Sequence, residues 1–182
     1  MARRAFIYRI RGYTLIELLV VISVVAIIVS LGYKSIGGYS QHNESMKTRS
    51  DLQNFLTTGK QFSLIYQSPI SLCVADENKQ CVTQHGTMLL TFIDKDNSGG
   101  FTPADTLLEI HKLALKYAYL VTSIALAKPY IIFTAQTGRP TGYMGHIKYC
   151  PVDGNPKEMF KVTFSKTAVI KLKTRQEENT NC

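Results

Sequence analysis

Apolar residues fill the chain almost without a break over residues 13–31, and then their rhythm changes. The first run is apolar nearly all round and about the length at which one helix crosses the hydrocarbon core of a bilayer. After Lys34 the pattern narrows to a stripe. Leu52, Phe55, Leu56, Gly59, Phe62 and Tyr66 recur at spacings of three and four, while Gln53, Asn54, Lys60 and Gln61 fall off it. The two regimes predict one long helix from Tyr13 to about Tyr66: a membrane span (13–33) continued by an amphipathic upper part (34–67). Pro69 ends it, since Ser68 before a proline is biased away from helical geometry. The join carries Gly32, Gly37 and Gly38. Each costs about 1 kcal/mol in a helix interior relative to alanine, so bending or melting is expected there in an assembled form.

Beyond Pro69 the rhythm is that of strands. Residues 70–74, 88–93, 107–110, 117–124, 130–134, 143–150, 159–164 and 168–173 read as extended, the fourth with some helical character. In the last two, Phe160, Val162 and Phe164 share one face with Ala168, Ile170 and Leu172, and Lys161, Lys171 and Lys173 take the other. Ser165, Lys166 and Thr167 would turn them into a hairpin. A long helix followed by many short strands predicts an α+β fold, with the N-terminal helix packed on an antiparallel β-sheet globular domain (68–182).

The residues ahead of the span change the picture. Arg3, Arg4, Arg9 and Arg11 precede it with no acid before Glu17. Gly12 closes this basic leader, Tyr13 opens the next segment, and Glu17 stands four residues further on. A carboxylate inside a span costs roughly 2–3 kcal/mol or more and therefore needs a functional reason or a charged partner. An ordinary secretory signal has its cleavage site after the apolar core, near an Ala-x-Ala pattern. Here the small residue comes before the core. A plain anchor accounts for the arginines, since positive charge stays inside, but leaves Gly12 and Glu17 unexplained.

Residues 11–31 resemble the class III signal of type IV prepilins and type II secretion pseudopilins. The resemblance implies a leader (1–12) that a prepilin peptidase removes by cutting after Gly12. It implies N-methylation of Tyr13, where the family usually has Phe. Glu17 falls on the fifth mature position, which in that family neutralises the N-terminal amine of a neighbouring subunit in a helical filament. A single-pass protein of the inner membrane is implied, N-terminus cytoplasmic and globular domain periplasmic. Its partners would be other pilins or pseudopilins, the peptidase and the inner-membrane assembly machinery. Many pilins carry a helix-kinking proline near the join, where this chain has glycines. A second resemblance, to the GspH/FimT group, rests on Leu90-Thr91-Phe92-Ile93-Asp94-Lys95-Asp96-Asn97-Ser98-Gly99 and on Phe133-Thr134-Ala135-Gln136-Thr137-Gly138-Arg139. It implies a minor subunit near the filament tip. A membrane-anchored domain that never polymerises is the competing reading.

Charge and cysteines add less. The 182-residue chain has a formal charge of +8, of which the leader carries four. Residues 13–111 balance at −3 and residues 112–182 at +7, a basic C-terminal half that can favour polyanions or acidic surfaces. Four cysteines outside the membrane suggest two disulfides. Three connectivities are open; Cys73 and Cys81 close a short polar loop most economically, leaving Cys150 and Cys182. There is no Cys-x-x-Cys.

Two charged stretches are candidates for binding. Asp94, Asp96 and Ser98, with Gly99 at the sixth position and Asp105 at the twelfth, follow the outline of a calcium loop. Position twelve lacks the longer glutamate, and the same residues serve a hairpin turn. Calcium is the one cofactor these residues suggest. Lys161, Lys166, Lys171, Lys173 and Arg175 gather near one hairpin, with Arg139 and Lys148 within possible reach, a patch able to contact DNA phosphates without sequence preference. Some FimT-type pilins take part in DNA uptake and carry Gly-Arg-x-Arg near the C-terminus; this chain has Leu172-Lys173-Thr174-Arg175 there. His42, His85, His111 and His146 have no metal-ligand spacing, and neither a nucleophile elbow nor a phosphate loop is present. The expected function is structural rather than enzymatic.

Overall fold

The computed structural model describes residues 14–142, 144–174 and 182, and for residues 31–37 the backbone alone. The leader with Gly12, then Tyr13 and Arg175, lie outside the described residues. The chain divides into two compact units, 1–40 and 41–182.

Helix α1 runs Leu15–Ile65 and includes Gly32, Gly37 and Gly38 as helix in the single chain. Thr14 starts it: its carbonyl accepts from the N–H of Glu17 (3.0 Å) and of Leu18 (3.2 Å), and its hydroxyl lies 3.4 Å from Glu17 N. Thr14-Leu15-Ile16-Glu17 has the spacing of a capping box. Among the described residues no helix is long and apolar enough to cross a membrane. The expected span (13–33) includes Tyr13 and side chains at 31–33 that are not described.

The second unit holds the strands and the part of α1 from Gln41. The strands are β1 (Ile70–Ala75), β2 (Met88–Ile93), β3 (Thr106–Lys112), β4 (Ala118–Ile124), β5 (Tyr130–Phe133), β6 (Gly145–Pro151), β7 (Phe160–Phe164) and β8 (Ile170–Thr174). They form two four-stranded antiparallel sheets, ordered β3-β2-β1-β5 and β4-β6-β7-β8. The strand pattern had not foretold that division. The stretch 117–124, ambiguous by composition, is strand because Leu120 and Ile124 alternate into the core beside Ile147 and Tyr149 of β6. Tyr66, expected on the helical stripe, lies past the end of α1 and is exposed. Its ring meets Phe62 edge-on at 5.7 Å.

Both sheets contribute to one core. Leu52, Phe55 and Leu56 of α1 join Ile70, Leu72, Leu89, Ile131 and Phe133 of the first sheet and Leu120, Ile147, Tyr149, Phe160 and Val162 of the second. Gly59 is what lets α1 lie so close to β1: a Cβ there would collide with the buried side chain of Leu72. The helix gives up about 1 kcal/mol of propensity at that position for the approach. Along the same row toward the N-terminus the facing residues turn polar, with Thr48, Ser45 and Gln41 all buried.

A crossing segment ties the sheets together. Cys73 of β1 is bonded to Cys81. Val82 N–H then donates to Val74 O (2.8 Å), His85 N–H to Leu120 O (3.1 Å), and Thr122 N–H to Thr83 O (2.7 Å). Residues 83–85 thus lie along the edge of β4, where the His85 ring stacks on Tyr119 at 4.6 Å. The second disulfide joins Cys150 of β6 to Cys182.

Candidate functional site: the apolar helix and two charged surfaces

The first unit presents an apolar cylinder. Leu18, Leu19, Val20, Val21 and Ile22 are each at least half exposed, and five consecutive residues cover more than one turn, so every face is apolar. Leu15 and Ile16 are exposed too, as are Val24, Val25, Ile27, Ile28 and Val29. The polar groups on this stretch are kept at home. Ser23 Oγ donates to Leu19 O (2.7 Å) and Ser30 Oγ to Ile27 O (2.8 Å), which leaves neither hydroxyl asking for water. A contiguous apolar surface of this kind marks contact with lipid or with other protein. Glu17 is the single acidic residue on the stretch 15–30, and its carboxylate lies in the first turn, where the helix dipole favours negative charge. Gly12 and Tyr13, the expected processing residues, are outside the described ones.

The loop between β2 and β3 is acidic. Asp94, Asp96 and Asp105 each bring a carboxylate oxygen within 4.8 Å of the others. Protein donors already meet most of these oxygens. Gly99 N–H donates to Asp94 Oδ2 (2.9 Å), Thr102 Oγ1 to Asp96 Oδ2 (2.8 Å), Lys95 N–H to Asp105 Oδ1 (2.9 Å), and Thr102 N–H to Asp105 Oδ2 (2.7 Å). Asp94 Oδ1 is buried with no hydrogen-bond partner among the described residues. The Ser98 side chain, then its N–H, then the Thr102 hydroxyl hold the Asp96 carboxyl down at about 2. The Ser98 hydroxyl also lies 3.0 Å from Gly100 O.

The basic surface lies on the second sheet. Register places Lys148 opposite Lys161 and Lys161 opposite Lys173, three lysines in a row across β6, β7 and β8. Thr163 faces Lys171 one step along. Like charges directly opposite across strands disfavour the sheet, and none of Lys148, Lys161 and Lys173 is without a partner. An open groove of about 700 Å³ runs beside them, lined by Lys161, Lys171, Lys173, His146, Thr163 and Met144 among others. Of the expected patch, Lys161, Lys171 and Lys173 come together on this groove. Lys166 sits exposed in the hairpin turn, and Arg139 belongs to the β5–β6 connection beside the first sheet, with its carbonyl accepting from Thr134 N–H.

One anchor went unnoticed in the sequence. Glu44 of α1 accepts from Lys116 N–H (2.7 Å), from Tyr117 N–H (3.1 Å) and from the Tyr149 hydroxyl (3.0 Å). Tyr149 is fully buried and stacks on Phe160 at 5.0 Å. Burial first, and the Glu44 charge second, push its hydroxyl far above the usual tyrosine range. The sequence signal was faint: extending the helical row from Leu52 back through Thr48 and Ser45 leads to the neighbourhood of Glu44, but a carboxylate beside Asn43 and Ser45 reads as solvated.

Comparison with known proteins agrees with this arrangement. Residues 7–33 match the family model of the prokaryotic N-terminal methylation motif. No curated protein matches the chain. Among solved structures, the type IV minor pilin FimU of Pseudomonas aeruginosa superposes with a TM-score of 0.57 at 18% identity, covering 79% of this chain and 98% of that one. A second crystal form of FimU gives a TM-score of 0.53 at 17% identity over 75% of this chain and 98% of that one. The fold is therefore that of a type IV pilin-like protein, with a long N-terminal helix and antiparallel sheets.

The Tyr149 environment has a pH consequence. Its folded-state pKa is raised, so its contribution to stability is complete below the unfolded value of about 10 and is lost as pH rises beyond it. Thermal unfolding of the wild type between pH 8 and pH 11 is expected to show a steeper alkaline loss than that of Tyr149→Phe, which has no hydroxyl to ionise. Parallel curves for the two proteins would refute this.

Proposed function

We propose that this chain is a structural subunit of a type IV pilus, of the minor-pilin kind. One observation carries the reading: a methylation motif over residues 7–33 leads into a helix that is apolar on every face. Such a helix is stable only when covered, first by lipid and then by like helices in a filament core. A prepilin peptidase cuts after Gly12, Tyr13 is N-methylated, and Glu17 then pairs with the amine of a neighbour. That pairing compensates the cost of a carboxylate at membrane depth. The membrane is the inner one, with the sheets on its periplasmic side. The resemblance of residues 90–99 and 133–139 to the GspH/FimT group supports a place near the filament tip. Its work is packing, and no catalytic residue is assigned.

Glu17→Ala is expected to be cleaved and inserted as the wild type is, yet to be missing from filaments sheared off the cell. Normal recovery of that variant would sink the pairing. A chain that is never cleaved at Gly12 and never reaches sheared filaments would instead identify a membrane-anchored domain that does not polymerise.

The lysine row supports a second reading, contact with the phosphates of DNA along the groove of the second sheet. A gel shift of the full chain in detergent should weaken steeply with salt and lose at least about tenfold in affinity with Lys171→Glu plus Lys173→Glu. Binding indifferent to that pair of changes would reject the site.

The acidic loop supports calcium, held by Asp94, Asp96 and Asp105, because the buried Asp94 Oδ1 lacks a donor among the described residues. Millimolar calcium should raise the melting temperature, and Asp96→Ala should abolish the rise. No rise in the wild type would remove calcium from consideration.

A further inference from the structure

The contact between α1 and the body is built of two materials. Leu52, Phe55, Leu56 and Gly59 meet the core through apolar surface. From Gln41, where the compact unit begins, to Arg49, the residues that face the body are polar or charged, with Gln41, Ser45 and Thr48 buried. Gln41 Nε2 donates to Asp153 Oδ1 (2.9 Å). His42 Nδ1 lies 3.1 Å from the Glu158 carboxylate, and Ser45 Oγ donates to Glu158 O (3.2 Å). Glu44 takes the two backbone N–H groups of Lys116 and Tyr117 and the Tyr149 hydroxyl. The Arg49 guanidinium covers the Phe160 ring at 5.2 Å.

We propose that residues 41–49 are a detachable clasp, which leaves the β3–β4 and β6–β7 connections while Leu52 to Gly59 stay docked. The proposal follows from what each material loses on opening. Apolar surface exposed to water has nothing to replace its contacts. Hydrogen-bonding groups released to water regain partners there, so the net loss is small. Four of the receiving residues lie in connections between strands, Lys116 and Tyr117 before β4, Asp153 and Glu158 between β6 and β7; Tyr149 of β6 and Phe160 of β7 take part through their side chains, not through their ladder N–H and C=O groups. Their release leaves both sheet ladders intact. Arg49 Nε is buried without a hydrogen-bond partner among the described residues, and opening would hydrate it. Segments held chiefly through side-chain hydrogen bonds open at lower free energy than an apolar core. Glu44 is the positioning residue of the clasp, since it alone holds three donors.

Amide hydrogen exchange on the full chain in detergent micelles tests this. The Lys116 and Tyr117 amides should exchange at least about tenfold faster than those in the β4–β6 ladder and show little dependence on low denaturant. Glu44→Ala should abolish their remaining protection and change that of β4 and β6 by less than about twofold. Glu44→Gln, which keeps an acceptor oxygen, should restore part of it. The proposal is overturned if the wild-type Lys116 and Tyr117 amides exchange only with the ladder, at its rate and denaturant dependence. A loss of protection in β4 and β6 equal to that at Lys116 in Glu44→Ala would overturn it equally.

Discussion

Leu52 and Leu56 hold this molecule together. They bring one helix face into a core that two separate sheets also enter, and Gly59 lets the helix come close enough to β1 for that to happen. Without the helix, each sheet would show its apolar face to water. Burying a leucine of this kind is worth about 1.5–3 kcal/mol, and a cavity in its place adds further cost. The rest of the body is arranged around that contact: the hairpin β7–β8 supplies Phe160 and Val162, and the crossing at 83–85 fixes the first sheet against the second.

The same helix carries the opposite condition in the other unit. There the apolar residues have no cover, and the serines bond back to their own backbone. One stretch of sequence thus satisfies itself within the chain, while the other keeps its apolar side chains exposed. The charged surfaces are elaborations on the sheets: an acidic loop between β2 and β3, and a lysine row across β6, β7 and β8.

Much of this was legible in the residues, for definite physical reasons. The 3-and-4 spacing of Leu52, Phe55 and Leu56 survives in the fold because burial enforces it, and the alternation in β7 is equally plain. Spacing puts Tyr66 on the buried stripe, yet it is exposed: its N–H still bonds Phe62 O, and the chain turns away at once through Gln67, with φ at 48°. The partition into two sheets depends on hydrogen bonds between distant strands, which no local pattern encodes. Glu44 escaped for a similar reason: its donors are more than seventy residues away, on a connection that looks like ordinary loop. In the acidic loop, spacing alone picks out Asp94, Asp96 and Asp105, whose carboxylates gather in the fold.

The crossing segment would have a mechanical meaning if this body is built into a fibre, as proposed above. From Cys73 a covalent bond leads to Cys81, and three residues further on the chain lies on β4. Tension reaching β1 through α1 and Pro69 is therefore not borne by one sheet's ladder alone. A share passes across the sulfur bridge and enters the second sheet along its strand edge, through the two hydrogen bonds between residues 83–85 and β4. The two sheets would yield together, as a sewn fabric does, instead of peeling apart at the seam between them.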